Sequence, residues 1–426
     1  MVSSLLRHAA AICSLFLAIN AATLSDAQAG DWPQILGPQR NGHAADNERL
    51  LAQWPKDGPK RIWRWSIGSG FSGPVVVGEE LYVFHRVGDA ERLQRLSVDT
   101  GHEVWRADFP ASYRGGINPD NGPRCVPLVH GENVYVFGAA GDLHCVARED
   151  GSKQWTRETH VEMQAGEGFF GAGSSPIVCG DLLLVNVGGS PDAGIVAFSP
   201  TTGETVWQKT AEKASYSAPI SVQLDGKAHA IFVTRYNALA IEPKSGEIRF
   251  QFPFGMRGPT VNAATPLVFN DRLFVSAAYG VGAVMAKLET DKPQPVVLWS
   301  NDQTLSSQYN TAIHHQDHLY GIHGREDVGA AELRCVSVEG KVQWSVRGFG
   351  VAHMILADNH LLLLKIDGTL LLARPDTSKF IELDSAQVSR DTTRALPALS
   401  NGRLYFRDNS ATRQSEGTIV CLQVGR

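Results

Sequence analysis

The sequence predicts an all-β fold: a single eight-bladed β-propeller of four-stranded antiparallel blades, its ring closed by an N-terminal strand. Three observations carry this. A hairpin pattern recurs eight times, a glycine–aromatic signature follows most of the hairpins, and the last repeat lacks an outer strand that an orphan segment near the start resembles.

The hairpins come first. Gly73-Pro74-Val75-Val76-Val77, a Gly-Glu turn and Leu81-Tyr82-Val83 form one unit; Pro176-Ile177-Val178-Cys179, Gly-Asp and Leu182 to Val185 form another. A short β-rich run, a polar turn and a second β-rich run are the signature of a hairpin. Alignment on the proline places the units at Pro74, Pro127, Pro176, Pro219, Pro266, Ala312, Met354 and Pro397, a mean spacing of about 46 residues. Units six and seven lack the proline but keep the hairpin, as in Asp317-His318-Leu319-Tyr320.

A third strand and a turn follow each hairpin. Gly101, Gly151, Gly203, Gly246 and Gly340 each precede Trp105, Trp155, Trp207, Phe250 and Trp344 by four residues. Glycine accepts the positive φ of such a turn, and an aromatic on the outer strand can pack between neighbouring blades. Trp299 ends the fifth unit without that glycine, and Phe380 or Ile381 is the weak counterpart in the seventh.

The eighth unit runs from Pro397 to Leu422 and has no outer strand before Arg426. Arg61-Ile62-Trp63-Arg64 resembles Glu103-Val104-Trp105-Arg106, so residues 61–67 are expected to complete the last blade and remove two open edges. The alignment also accounts for three cysteines. Cys145, Cys335 and Cys421 share a third-strand slot with Ala197, Ala240 and Ala286, which suits a small buried apolar residue.

The first residues read as an address. Arg7 and His8 precede the apolar run Ala9 to Ala22, and Ala27-Gln28-Ala29 ends it, the parts of a signal peptide cleaved near Ala29. Cys13 lies inside the run, away from the cleavage point that a lipid-modified cysteine would occupy. The expected location is periplasmic or secreted, with no transmembrane segment. The resulting division is a leader over 1–29, an N-terminal extension over 30–57 and the propeller over 58–426. The formal net charge is −5, without a basic run, so nucleic acid is excluded as a partner class.

The Thr-Gly-x-x-x-Trp-like endings at Thr100 to Trp105 and Thr202 to Trp207, with the Ser-Ser-Pro hairpin at Ser174, resemble the pyrroloquinoline-quinone-like (PQQ-like) propeller repeat family of secreted bacterial proteins over about residues 58–426. Asp31-Trp32-Pro33 to Gly42 resembles an opening segment of many members, with Ile35 and Leu36 in place of a usual Trp-Arg pair. The resemblance implies two alternatives. Quinoprotein dehydrogenases of alcohols or sugars hold PQQ and calcium in this fold, with adjacent cysteines and a catalytic Asp. The scaffold lipoprotein of the outer-membrane β-barrel assembly machinery has eight blades and no catalysis. This chain has no Cys-Cys pair and no Cys-x-x-Cys-His haem motif. The expectation is an exported non-catalytic binding or scaffold propeller; the alternative is a PQQ- and calcium-dependent dehydrogenase.

Inner-strand starts in a propeller meet at one mouth of the central channel. Three residues before the aligned proline the units place Phe71, Arg124, Gly173, Tyr216, Ala263, Tyr309, Val351 and Arg394, with Asn310 and His353 close by. Aromatics supply flat apolar faces and arginines forked donors. Arg124, Tyr216, Tyr309, Asn310, His353 and Arg394 are therefore the candidate ligand-binding residues, for an unknown protein, a peptide or a small anionic ligand. Asp120 and Glu167 are candidate paired carboxylates on the loops that feed the mouth. His314 and His315 alternate across a strand and do not suit one ion.

Overall fold

Each aligned proline stands immediately before a short inner strand: Val75–Val77, Leu128–His130, Ile177–Cys179, Ile220–Leu224 and Leu267–Phe269, then Ala398–Ser400 in the last unit. Proline has no N–H to give to a ladder, so it marks where pairing begins. In the sixth unit Ile313–His315 follows Ala312 in the same way. In the seventh the strand Ala352–Ala357 runs through Met354, whose N–H can join the ladder.

The structure is a computed structural model and describes residues 30–258, 260–289, 292–410 and 416–426. The leader expectation falls on residues 1–29, outside this set. The described strands form eight four-stranded antiparallel sheets, one per repeat, numbered here blades 1 to 8 from Val75 onward. Lys60–Gly68 pairs with Glu416–Gln423 as the outer strand of blade 8, which closes the ring as the orphan segment predicts. Among the described residues no helix is long and apolar enough to cross a membrane.

The apolar cores lie between blades. One cluster joins Tyr82 and Phe84 of blade 1 to Val129 and Val134 of blade 2; another joins Ile313 and Tyr320 of blade 6 to Met354 and Leu363 of blade 7. The outer-strand tryptophans bind these layers together. Trp105 Nε1 donates to the Arg148 carbonyl of the next blade (3.1 Å), Trp155 to Pro200 (3.0 Å), Trp207 to Pro243 (2.8 Å) and Trp344 to Asp376 (2.9 Å). Trp63 does the same across the closure, donating to Val98 of blade 1 (2.9 Å). The repeated glycine serves both ends of this contact. Gly151 and Gly203 have φ of +75° and +72°, and a Cβ on either would lie 2.6 Å from the tryptophan ring of the preceding blade. Turn geometry and tryptophan docking thus require the same residue.

Two register expectations are corrected. In blade 5 the residue opposite the outer tryptophan is Met285, paired with Trp299, and Ala286 is one position further along. In blade 7 the outer position belongs to Asp384, opposite Leu372. Phe380 lies before that strand and packs on Trp344 of blade 6, with ring centroids 6.0 Å apart. The cysteine slot stands for Cys145, Cys335 and Cys421, which pair with Trp155, Trp344 and Trp63 and are buried free thiols.

Residues 30–58 do not trail from the ring. They cross the end of the channel where the inner strands finish. The Gly78 N–H donates to Asp31 Oδ1 (2.8 Å), the Leu50 N–H to Asp358 Oδ2 (3.1 Å), and the N–H groups of Asn401 and Gly402 to the Glu48 carboxylate (2.5 and 2.8 Å). Those acceptors and donors sit on the turns that follow the inner strands of blades 1, 7 and 8. Bridges from Trp32 to Val76 and from His43 to Leu356 fix the segment against the channel wall. Asp384, where blade 7 lacks its aromatic, accepts the Trp54 N–H at 2.7 Å.

Arg40, the arginine of the opening motif, points from this segment into the channel. It is 2 % exposed and donates to the carbonyls of Pro176 and of Pro219 (2.9 Å) and to Gln34 Oε1 (2.7 Å). Burial pulls its pKa down to about 9, so it remains charged at neutral pH. Its donors satisfy the carbonyls of the two prolines that begin blades 3 and 4. Arg40→Ala leaves those carbonyls unpartnered and opens a cavity; the expected cost is about 3 kcal/mol, read as a lower urea midpoint at unchanged m-value.

Candidate functional site

At the opposite mouth the inner-strand starts do converge. Phe71 of the blade 8–blade 1 connection lies between two arginines, with the guanidinium carbons of Arg124 and Arg394 each 5.5 Å from its ring centroid. Arg124 also lies over Tyr113 at 5.6 Å. Arg124 and Tyr216 both pack on Gly173, where a Cβ would lie 2.6 Å from Tyr216 Cδ1 and 3.3 Å from Arg124 Cβ. The Tyr216 hydroxyl accepts the Phe170 N–H at 2.8 Å.

On the other side of Phe71 the residues form a hydrogen-bonded chain. Arg394 Nη2 donates to Glu326 Oε1 (2.5 Å) and the Tyr309 hydroxyl to Oε2 (2.7 Å). Burial and the Glu326 carboxylate both push the Tyr309 phenol up, so it stays protonated and donates. His353 Nε2 donates to the Arg394 carbonyl (2.7 Å), which leaves Nδ1 as the acceptor for Asn310 Nδ2 (3.3 Å). Burial pushes His353 down to about 4, consistent with that neutral tautomer. The six candidate residues therefore meet in one continuous patch.

Their charges, however, are already used. Arg124 faces Asp120 at 3.5 Å and donates to the Asp120 carbonyl (2.6 Å), and its side chain is 10 % exposed. Asp120 in turn accepts the N–H groups of Gly70 (3.1 Å) and Gly122 (2.9 Å). Arg394 is held by Glu326. Arg394 thereby ties the connection between blades 7 and 8 to a blade 6 turn, whereas Arg124 stiffens its own connection between blades 1 and 2. Asp120 is thereby committed to Arg124 and two backbone amides, and Glu167 lies on the wall of a separate cleft. Glu326 was the partner missed in the sequence. The available signal was the turn carrying it, residues 324–331, long for a connection between second and third strands.

PQQ and calcium are the groups that the fold resemblance implies for this mouth. Calcium takes six to eight oxygen ligands, carboxylates among them. Asp120 and Glu326 are each bound to an arginine, and among the described residues no group of three or more His, Cys, Asp and Glu side chains could hold a metal ion. The quinone's carboxylates would find Arg124 and Arg394 already paired. The residues present do not fit that pair of groups.

The cleft that carries Glu167 lies beside the mouth, between blades 2, 3 and 4, and has a volume of about 270 Å³. Phe169, Tyr216, Tyr236, Lys213, Arg235 and His160 are among its walls. Of these only Tyr216 stands out in the sequence, because the others lie on connections, His160 on the short helix Thr159–Glu162, with no repeat position to mark them.

Comparison with known proteins places this architecture. A protein of Burkholderia pseudomallei named outer membrane protein assembly factor BamB is 24% identical over 278 residues, covering 55% of this chain and 69% of that protein. The crystal structure of BamB from Moraxella catarrhalis superposes with a TM-score of 0.61 at 13% identity, over 85% of this chain and 99% of that one. A europium-containing methanol dehydrogenase gives 0.51 at 10% identity, over 93% and 98%. At such identities the solved structures speak for the fold alone. A family model described as outer membrane protein assembly factor BamB matches residues 46–225 and 94–346, and so the chain belongs to that family of PQQ-like repeat propellers.

Proposed function

We propose that this protein is an extracytoplasmic, non-catalytic scaffold that docks a protein partner on the mouth face and serves the assembly of outer-membrane proteins. The difference between the two faces of the ring carries this reading. On the mouth face, connecting loops and turns hold exposed apolar side chains: Ile117 is 67%, Val161 74% and Val328 59% exposed. The other face is crossed by residues 30–58, tied to the turns of blades 1, 7 and 8. Exposed apolar side chains on loops of an uncovered face can serve an interaction surface, and rigid blades beneath them hold it in shape. The family relationship and the leader expected over residues 1–29 support an extracytoplasmic location.

The mouth patch of Arg124, Tyr216, Tyr309, Asn310, His353 and Arg394 is the rigid centre of this surface. The test compares two folded variants. Ile117→Asp, Val161→Asp and Val328→Asp together alter the mouth face; Val206→Asp alters the outer rim. The mouth variant is expected to lose co-purification with the machinery that inserts outer-membrane proteins and to lower the folded amount of those proteins. The rim variant is expected to behave as the parent. Retention of both properties by the mouth variant overturns the proposal. So does tight binding of PQQ and calcium accompanied by turnover of an alcohol with an artificial electron acceptor.

A further inference from the structure

The cleft between blades 2, 3 and 4 has the make-up of a small-molecule site. Its apolar walls are aromatic: Phe169 from the loop after blade 2, Tyr216 from the connection into blade 4 and Tyr236 from a blade 4 turn. Two cations line it. The Arg235 N–H donates to the Lys213 carbonyl (3.0 Å), which brings the two residues side by side. The Arg235 guanidinium is stacked between Phe169 and Tyr236, 5.3 and 5.5 Å from their ring centroids, and donates to the Gly258 carbonyl (2.6 Å). Unlike Arg124 and Arg394 at the mouth, neither Lys213 nor Arg235 faces a carboxylate among the described residues within ion-pair distance. Among the described residues Glu167 is the only acid on the wall, so with Lys213 and Arg235 the lining carries a net positive charge.

His160 supplies the second polar feature. It is 7 % exposed, and neither ring nitrogen has a hydrogen-bond partner among the described residues. Its ring is fixed in place. A Cβ on Gly141 would lie 2.1 Å from it, and Phe137 meets it edge-on at 5.9 Å. Burial lowers its pKa to about 4, so at neutral pH the imidazole offers one donor and one acceptor. A buried polar group of this kind is costly unless something bonds to it.

We propose that this cleft binds a small hydroxylated aromatic carboxylate. The ring lies among Phe169, Tyr216 and Tyr236, the carboxylate meets Lys213 and Arg235, and the hydroxyl meets His160. Aromatic walls select a flat apolar body, the cations select the anion, and a hydroxyl can answer either imidazole nitrogen. The volume of about 270 Å³ limits the ligand to roughly a single substituted ring. The cleft shares Tyr216 with the mouth patch, but binding of a small acid to it is measured with no partner protein added.

The experiment is titration calorimetry of the full exported chain with three probes: 4-hydroxybenzoate, benzoate and 4-hydroxybenzyl alcohol. The expected order of affinity is as written, with saturable binding by the first. Lys213→Met with Arg235→Met should weaken 4-hydroxybenzoate at least about tenfold. His160→Phe should make 4-hydroxybenzoate and benzoate bind alike. Lys213 is exposed, so Lys213→Met alone gives a folded variant if the double change lowers the melting temperature. Absence of saturation by either acid up to about 10 mM overturns the proposal, as does undiminished binding by the folded lysine and arginine variants.

Discussion

Removal of residues 30–68 is expected to abolish cooperative folding, or to lower the melting temperature by at least about 10 °C. The segment performs two structural jobs at once. Lys60–Gly68 is the fourth strand of blade 8, and without it Glu416–Gln423 becomes an open edge. Residues 30–58 close one end of the channel and carry Arg40 into it. Trp32, Leu50, Trp54, Trp63 and Ile67 are all less than 10% exposed. At about 2–3 kcal/mol for each large apolar side chain, their burial is comparable with the whole stability of a typical domain. A point variant separates closure from plugging. Trp63→Ala removes the bond to Val98 and the packing on Tyr405, and should cost about 3–5 kcal/mol. Circular dichroism melts and size-exclusion elution check both variants. An unchanged melting temperature in the truncated protein contradicts the closed-ring account.

Acid should destabilise the protein well above the usual carboxylate range. Burial pushes His85 and His144 down to about 3 and His160 and His353 to about 4, against 6.5 in an unfolded chain. A depressed histidine contributes stability that is complete above pH 6.5 and is lost as the pH falls from 6.5 to its folded value, about 4 for His160 and His353 and about 3 for His85 and His144. Two carboxyls act the other way. Burial raises Glu91 to about 7 and Asp142 to about 6, so each contributes stability that is present at low pH and lost as the pH rises through those values. Near pH 5 unfolding takes up about five protons at these histidines and His314, which burial also lowers to about 4, and releases about two from the acids. The net uptake of about three protons gives a slope of roughly 4 kcal/mol per pH unit. Urea midpoints should therefore fall steeply from pH 6.5 to 4.5 and change little from 7 to 8. Calorimetric unfolding in buffers of different ionisation enthalpy counts the protons directly. Midpoints that stay level between pH 7 and 5 rule this balance out.

The mouth shows where reading residues in order stops being sufficient. Arg124 and Arg394 stand in the connections just before two inner strands, and they share Phe71. Their acids come from a feeding loop in one case and from a blade 6 turn in the other, and Glu326 is 68 residues from Arg394. No periodicity links such pairs. His160, Lys213 and Arg235 are invisible for the same reason: each sits on a connection whose length and course the repeat does not specify.

The amino-acid sequence by itself determined the number of blades, the order of their strands and the closing partner. Those features rest on local rules repeated around the ring: proline before a ladder in six units, and in five a glycine at a positive-φ turn with an aromatic four residues on. Even its errors, at Ala286 and Phe380, are local slips of register or of a missing aromatic. The tertiary structure alone decided the path of residues 30–58 across the channel, the neutralisation of the mouth arginines and the cationic cleft beside them. These depend on side chains brought together from separate blades, and ring closure sets which groups meet and which are left without a partner.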